Sequence, residues 1–355
     1  MGHKVSGTDS FEQITDFGSL YKAYKAAARG KHSRASVLRH DLHAEKILLR
    51  LQAELRSGRY KHGRYNQFTV QDPKPRDVNA APFTDRVVHH ALVDHIEPLF
   101  ERGFIFDSYA CRRGKGTHAA ALKLQHFLRS SLNTRRPVYV LRSDIRKFFA
   151  SINHSVLMRL LDKHIHDPQT RSLCKTIIGS YHTPPSAAGA SSLSLDKPHG
   201  LPIGNLTSQL FANIYLNALD QFVKHGLRER YYLRYMDDFV ILHHDKARLW
   251  QTLRRLETFT SDTLHLQLHP KKTGTHKFYE LERFVGYDLG PYLRRLSKPT
   301  LRRFERRLKR MQSTHSPEDI ETSLTQFKAY AQFAHTGQLL AEIQATHSEI
   351  GRAHV

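Results

Sequence analysis

Three aspartates stand at positions where the surrounding pattern predicts the ends of strands. Asp144 follows the largely apolar run "PVYVLRS", which predicts a short strand that stops at the acid. Asp237 and Asp238 lie in "YYLRYMDDFVILHH", where apolar segments on both sides predict a hairpin with the acids at its turn. Carboxylates placed together in this way repel one another unless a cation lies between them. Hard oxygen ligands and an incomplete protein shell favour Mg²⁺ as that cation.

A pair of Mg²⁺ ions held by these three carboxylates could activate an attacking 3′-hydroxyl and stabilise a leaving pyrophosphate in a nucleotidyl transfer. Two adjacent aspartates at a turn are also common as plain solvated turn residues. The apolar strands, the separate strand-end aspartate and a net charge of +22 together favour the metal site.

The composition predicts a polyanionic partner. The chain has 355 residues, with 55 Lys and Arg against 33 Asp and Glu, and the basic residues are spread along it, which favours nucleic acid over an anionic membrane. Neither an apolar run of membrane-spanning length nor a signal peptide is visible, so we expect a cytoplasmic protein. Cys111 and Cys174 are too few and too far apart for a disulfide framework or a zinc site.

Four regions must position the aspartates. Residues 1–75 read as helices rich in Ala, Lys and Arg, followed by the strand-like "YNQFTV", which stops where "QDPKPRD" places two prolines. Residues 76–135 carry the helical run "RVVHHALVDHIEPLF", a basic loop "CRRGKGTHAA" and another helix. Strands and helices alternate over 136–291, interrupted by a small polar stretch at 186–199 that we interpret as a mobile connection. From 292 to 355 the pattern predicts basic helices.

The motifs resemble those of reverse transcriptases. "SDIRKFF", "GLPIGNLTSQLFANIYLNALD" and "YMDD" look like the palm motifs of that family, in the family's order and spacing. The similarity runs from about residue 65, through "DPKPRDVNAAPFTDRVVHHAL" and "SYACRRGKGTHAA", to "FVGYDLG", which resembles the primer-grip hairpin and predicts one at 281–291. The resemblance implies an α+β fold, a right-hand polymerase of fingers, palm and thumb. Its palm would be an antiparallel sheet packed on helices, and its thumb helical and basic.

One loop resembles a particular subgroup. Most reverse transcriptases have a Gln-Gly pair and a Ser-Pro pair before the palm helix, whereas this chain has Ile203-Gly204 and Ser208-Gln209. That form is the mark of reverse transcriptases from diversity-generating retroelements. The likeness implies a bacterial or phage-encoded enzyme that copies a template-repeat RNA from dNTPs into error-prone, adenine-mutated cDNA. It also implies an RNA–DNA hybrid and a small basic accessory protein, the accessory variability determinant, as partners.

Two other interpretations stay open at this point. The chain could be another bacterial reverse transcriptase, from a retron, a group II intron or a phage-defence system, although intron enzymes usually also carry maturase and endonuclease regions for which we expect no room here. It could also be a catalytically idle RNA-binding scaffold, against which the three intact aspartates argue.

The resemblance implies roles for individual residues. Asp144, Asp237 and Asp238 would be catalytic and would hold two Mg²⁺ ions, with Asp144 spanning both. Phe149 would be an aromatic gate that excludes a 2′-hydroxyl, although either it or Phe148 could be plain core.

Further residues are assigned to substrate contacts. Ile203 offers shape but no hydrogen bond, so we expect lower fidelity. A lysine of the pair Lys271-Lys272 could donate a proton to pyrophosphate, with a plain surface pair as the alternative. The remaining nucleotide-binding candidates are Arg113, Lys115, Gly204 and Gln209. The candidates for nucleic-acid contact are Arg76, Arg86, Tyr235, Met236, Gly286, Arg302, Arg303 and Arg306, the last three on a basic helix predicted at 293–310.

Overall fold

The computed structural model describes residues 10–30, 42–71, 75–183 and 198–335. The mobile connection expected at 186–199 lies outside these ranges except for its last two residues, and so does the end of the chain after 335. None of the helices in the described ranges is both long and apolar enough to cross a membrane.

The described residues form helices and antiparallel sheets, which confirms the α+β class predicted from the sequence. The helices are α1 (Ser10–Ile14), α2 (Phe17–Ala28), α3 (Ala44–Arg56), α4 (Phe83–Glu101), α5 (Thr117–Leu132), α6 (Phe148–Ser151), α7 (His154–Leu161), α8 (Pro168–Gly179), α9 (Leu206–Gln221), α10 (Lys246–Asp262), α11 (Lys298–Gln312) and α12 (Pro317–Ala331). A π-helical turn at Phe222–Gly226 continues α9. The strands are β1 (Asn66–Gln71), β2 (Pro75–Ala80), β3 (Tyr139–Asp144), β4 (Tyr231–Tyr235), β5 (Asp238–His243), β6 (Gly274–Lys277), β7 (Glu282–Phe284), β8 (Tyr287–Leu289) and β9 (Arg294–Leu296).

A four-stranded antiparallel sheet in the order β4-β5-β3-β6 lies at the centre of the molecule. Its middle strands are buried because β3 and β5 are rich in apolar residues on both faces. Helices α4 and α9 pack against each other with their apolar stripes, as their 3.6-residue periodicity predicts. The buried stripe positions include Val87, Leu92 and Ile96 on α4, and Phe211 and Leu219 on α9.

The hairpin β1-β2 is an exposed two-stranded ribbon. The strand at "YNQFTV" was predicted, but β2 was not, because the prolines of "QDPKPRD" were expected to end regular structure. Pro75 instead opens β2, where a missing backbone donor costs little at the first residue of an edge strand.

The prediction of a helix beginning near residue 293 is wrong at its start. Arg294–Leu296 forms β9, which pairs with β8 and completes a three-stranded sheet β7-β8-β9. The helix begins after Ser297, whose side chain caps Thr300 N–H, with a proline in its first turn. Helices α11 and α12 then pack through Phe304 and Phe327, whose rings stack 3.6 Å apart.

Candidate active site

The central sheet brings the three aspartates to one end. Strand β3 ends at Asp144, and the antiparallel register places Asp144 directly opposite Asp238, the first residue of β5. The turn between β4 and β5 consists of Met236 and Asp237. Both expectations for these positions, a strand end and a hairpin turn, therefore agree with the structure.

A fully buried arginine holds this turn in place. Arg234 forms an ion pair of 2.7 Å with Asp220 on α9, and its Nη1 donates to the carbonyl of Met236 at 2.9 Å. Its other donors reach Ser108 and Asn213. Met236 has a φ of 54°, a left-handed conformation that is uncommon for a residue with a side chain. The ion pair thus anchors a turn whose backbone is strained.

The environment works against ionisation of the turn aspartates. Burial, with repulsion from Asp144 as the next cause, raises the pKa of Asp237 to about 6. Burial also raises the pKa of Asp238, although the neighbouring guanidinium of Arg142 opposes that shift. The Oδ1 atom of Asp238 is buried without a hydrogen-bond partner among the described residues. Such an atom is costly unless a further group completes its contacts.

Two cations already contact the aspartates. The Nζ atom of Lys272 lies 2.7 Å from Asp144 Oδ2, so this predicted lysine lies beside the carboxylates. Arg142 Nη2 lies 2.9 Å from Asp238 Oδ2. The sequence analysis missed Arg142, although a signal existed: it stands two residues before Asp144 on a strand, and residues i and i+2 share one face of a sheet.

The described ranges contain no group of three or more His, Cys, Asp or Glu side chains arranged as a metal-binding cluster. The donor set nevertheless fits a hard divalent cation, because it offers carboxylate oxygens only and one of them, Asp238 Oδ1, is buried and unpartnered. A cation between the carboxylates would also relieve the repulsion that raises the pKa of Asp237.

The loop before α9 is tied to its surroundings by its backbone. The amide of Leu201 donates to the carbonyl of Phe149 at 2.8 Å, and the carbonyl of Ile203 accepts from the amide of Asn79 in β2 at 3.0 Å. Asn205 bonds Asn79 and Ala81 through its side-chain amide, at 2.8 and 3.0 Å. The loop therefore bridges β2 and the segment that carries Phe149.

The side chains of this loop differ in exposure. Ile203 is 37% exposed, Gln209 is exposed, and Phe149 is half-buried with its ring against the buried Phe148. Gly204 has a φ of +109°, and a Cβ there would lie 2.7 Å from Val78 Cγ1. Only glycine fits this close approach without strain.

The basic candidates before the palm contact their own region of the fold. Arg113 lies 3.8 Å from Asp94 and 3.5 Å from Glu97, both on α4, while its side chain remains largely exposed. The ammonium of Lys115 donates to the carbonyl of Phe106 at 3.0 Å and lies over the aromatic ring of the same residue. Desolvation is the main cause that lowers the pKa of Lys115. These contacts of Arg113 and Lys115 are with Asp94, Glu97 and Phe106, and none of them is with Asp144, Asp237 or Asp238.

Three other predicted basic residues lie on β2, on α4 and beside Lys272. Arg76 is exposed on β2, opposite Val70 in the register. Arg86 lies in α4 with its guanidinium 5.4 Å from the centre of the Phe83 ring. Lys271 is exposed next to Lys272.

Three of the nucleic-acid candidates, Tyr235, Gly286 and Arg303, line one cleft. A cleft of about 430 Å³ is lined by residues that include Tyr235, Gly286, Arg303 and Tyr330. The hydroxyls of Tyr235 and Thr117 form a hydrogen bond of 3.1 Å. Gly286 has a φ of +89° and leaves no room for a Cβ beside the hydroxyl of Tyr330. Arg302 and Arg306 are exposed on α11, the helix that also carries Arg303.

Comparison with known proteins identifies the family of the chain. The profile of the family "Reverse transcriptase (RNA-dependent DNA polymerase)" matches residues 69–289, more than half of the chain. Protein YkfC of Escherichia coli K12 is 26% identical over 273 residues, which cover 67% of this chain and 70% of that protein. The group II intron-encoded protein LtrA of Lactococcus lactis subsp. cremoris is 27% identical over 188 residues, 52% of this chain but only 29% of that one.

A solved telomerase from Candida albicans, in complex with a fragment of telomeric RNA, aligns with a TM-score of 0.48 and 12% identity, covering 77% of this chain and 57% of the telomerase chain. The family match spans β3, the β4-β5 hairpin and the loop before α9, which carry the motifs described above. The chain therefore belongs to the reverse transcriptase family, the RNA-directed DNA polymerases, as its sequence predicts.

Proposed function

We propose that this reverse transcriptase serves a diversity-generating retroelement, in which it copies a template-repeat RNA into adenine-mutagenised cDNA. The observation that carries the proposal is the loop before α9, where Ile203-Gly204 and Ser208-Gln209 replace the Gln-Gly and Ser-Pro pairs of most reverse transcriptases. The same loop contacts both β2 and the Phe149 segment, so a change in its chemistry acts where a nucleotide would be checked.

The backbone of the loop supports a direct effect of residue 203 on fidelity. The carbonyl of Ile203 is held by the amide of Asn79, and Gly204 is packed against Val78, so the loop conformation does not depend on the side chain of residue 203. Isoleucine contributes shape at this place but cannot donate or accept a hydrogen bond. Discrimination between correct and incorrect base pairs then loses about 1–3 kcal/mol of constraint.

The chemistry follows from the carboxylates and their neighbours. Asp144, Asp237 and Asp238 would hold two Mg²⁺ ions, which, when bound, activate the primer 3′-hydroxyl and stabilise the leaving pyrophosphate. Lys272 is already within 2.7 Å of Asp144 and keeps a half-exposed ammonium, so it can donate a proton to the departing pyrophosphate. Phe149 excludes a ribonucleotide by the position of its ring.

The wider organisation is part of the same proposal. Residues 1–75 would form an N-terminal helical extension and the start of the fingers, and 76–135 the rest of the fingers. The palm would occupy 136–291, with the primer-grip hairpin at 281–291, and the helical thumb 292–355. The exposed arginines of α11 would follow the phosphates of the RNA–DNA hybrid, since they lie on the helix that lines the cleft with Tyr235. The partner would be a small basic accessory variability determinant, and the location cytoplasmic.

The loop can be tested by restoring the common residue. We expect Ile203→Gln to lower the frequency of errors at template adenines by about tenfold, because a glutamine can hydrogen-bond where isoleucine cannot. The measurement is deep sequencing of cDNA made on an adenine-rich RNA template with Mg²⁺. Leu122→Gln, at an exposed position of α5, is the matched control for an apolar-to-amide change at the surface. An unchanged adenine error spectrum in Ile203→Gln would count against the loop as the cause.

The similarity to LtrA favours a second candidate, an enzyme of the group II intron type. The two candidates differ in what surrounds the gene and in the error spectrum. A nearby pair of near-identical repeats that differ at adenines, together with adenine-directed errors, supports the retroelement. Intron-like RNA flanking the gene, together with accurate copying of adenines, supports the second candidate instead.

A further inference from the structure

Arg142 connects the aspartate site to a second sheet. It lies on β3 with its side chain 31% exposed, and its Nη2 donates to Asp238 Oδ2 at 2.9 Å. Its Nη1 donates to the carbonyl of Arg283 on β7 and lies 4.0 Å from the carboxylate of Glu282. The guanidinium of Arg142 thus contacts both the β4-β5 hairpin, which carries Asp237 and Asp238, and the β7-β8 hairpin, which follows later in the chain.

The far end of this connection is fixed. The side chain of Glu282 is only 4% exposed, and its second oxygen lies 2.7 Å from His276 Nε2 on β6. Strand β6 pairs with β3, so His276 and Arg142 come from neighbouring strands of the same sheet. Glu282 is therefore held between two residues of the central sheet, and β7 is held with it.

The turn of the β7-β8 hairpin lines the cleft that contains Tyr235, the last residue before the turn of the β4-β5 hairpin. The β7-β8 turn contains Gly286, which lines the cleft with Tyr235 and Arg303. The carbonyl of Gly286 accepts from the hydroxyl of Thr300 at 3.0 Å, which ties the turn to α11. The position of β7, together with these contacts to α11, therefore sets where this turn lies relative to the aspartates.

We propose that Arg142 is a positioning residue of the polymerase reaction, whose guanidinium fixes the Asp238 carboxylate against the β7-β8 hairpin so that both keep one spacing. A planar guanidinium can donate in two directions at once, which a lysine ammonium on a flexible stem does not reproduce. The carboxylate depends on this contact, because Oδ2 of Asp238 bonds Arg142 while Oδ1 is buried without a partner in the described part of the chain.

The kinetic test compares Arg142→Met, Arg142→Lys and a control. Arg171→Met removes a comparable arginine–aspartate pair, 2.7 Å from Asp162, on helix α8, which belongs to neither the central sheet nor the β7-β8 hairpin. We expect Arg142→Met to lower kcat for primer extension by about 10- to 100-fold, the usual cost of losing a group that orients a metal ligand. The KM for dNTP should move less than about threefold, and Arg142→Lys should recover only part of kcat, since it can reach Asp238 or β7 but not both.

A second readout needs neither metal nor turnover. Hydrogen exchange of the amides of β7 and β8 should be faster in metal-free Arg142→Met than in the wild type, because the bond from the guanidinium to the carbonyl of Arg283 is lost. Arg171→Met should exchange at the wild-type rate in this hairpin. If Arg142→Met fails to fold, Arg142→Lys carries both measurements, since it keeps the charge and most of the volume. Its single ammonium reaches Asp238 or β7 but not both, so kcat or the exchange rate must differ from the wild type, and wild-type values of both would overturn the proposal.

A double-mutant cycle decides whether Arg142 acts through Asp238. If it does, Arg142→Met combined with Asp238→Asn is about as slow in single turnover as Asp238→Asn alone. Three results would overturn the proposal: a kcat of Arg142→Met within twofold of the wild type, full multiplication of the two losses, or wild-type exchange of β7 and β8 in Arg142→Met.

Discussion

Two groups of charges stand at the same hairpin and are built in opposite ways. Arg234 and Asp220 have side-chain exposures of 1% and 0%, carry opposite charges and are bonded on several sides. A few residues further on, Asp237 and Asp238 carry like charges, have raised pKa values, and leave one buried oxygen of Asp238 without a partner. A satisfied charge group holds the backbone, whereas an unsatisfied one keeps its capacity to bind something else.

The largest effect is expected from removing one charge of the Asp237-Asp238 pair, the group whose charges are not satisfied. We expect Asp237→Ala to lower primer extension by about 10,000-fold, a typical loss for one member of a catalytic unit. Its melting temperature should be equal to or above that of the wild type, because a buried repulsion disappears. The measurements are primer extension on an RNA template with Mg²⁺ and thermal unfolding. Asp162→Ala, which removes a surface aspartate, is the control, and equal cDNA from Asp237→Ala and this control would contradict the assignment.

The matching change in the satisfied group should act on stability instead. Asp220→Asn leaves the buried guanidinium of Arg234 without its counter-charge, so we expect the free energy of unfolding to fall by about 3–5 kcal/mol. Denaturant titration measures this. A variant as stable as the wild type would contradict the structural role of this ion pair.

Lys272 has features of both groups of charges. Its ion pair with Asp144 is as short as a buried one, but its side chain is 55% exposed. We expect Lys272→Met to change the free energy of unfolding by less than about 0.5 kcal/mol, since exposed pairs are weak. Activity should fall by about 100-fold if the ammonium donates the proton to pyrophosphate. Lys277→Met, at an exposed position of β6, is the control. Equal activity of the two variants would leave Lys272 as a surface residue.

The pH dependence of stability gives the smallest effect and sharpens the comparison further. The folded pKa of Asp237 is raised to about 6, above the ordinary value near 4 of an unfolded aspartate, so the folded chain binds the proton more tightly between these values. Stability should therefore fall as the pH rises from about 4 to about 6, by roughly 1–2 kcal/mol relative to Asp237→Asn.

Denaturant titrations of both chains in metal-free buffer measure this difference, and adding Mg²⁺ at pH 7.5 should reduce it. A difference that does not change between pH 4 and pH 6 would contradict the raised pKa of Asp237.

The sequence predicted those parts of the molecule that depend on local pattern. The strand end at Asp144, the turn at Asp237 and the buried stripes of α4 and α9 follow from periodicity and from apolar flanks that are close in sequence. The family motifs added the enzyme class, and the family match confirms it.

What the sequence did not show depends on partners far away in the chain. Arg142 and Arg234 look like polar interruptions of strands until the fold brings them Asp238 and Asp220. Strand β9 was interpreted as helix because "YLRRL" has an amphipathic pattern, and only pairing with β8 makes it a strand. Arg113 was predicted to contact the phosphates of the nucleotide. Its acidic neighbours on α4, Asp94 and Glu97, come close to it only in the folded chain.

The loop before α9 has a mechanical consequence. Ile203 and Asn205 form hydrogen bonds with Asn79 of β2, and Leu201 donates to the carbonyl of Phe149. These three residues of the loop lie within a segment of five. A displacement of the β1-β2 ribbon therefore pulls on the same short segment that supports the proposed sugar gate. A template that displaced the ribbon would therefore also move the segment of Phe149, so the contact with the template and the proposed selection of the sugar would be mechanically linked.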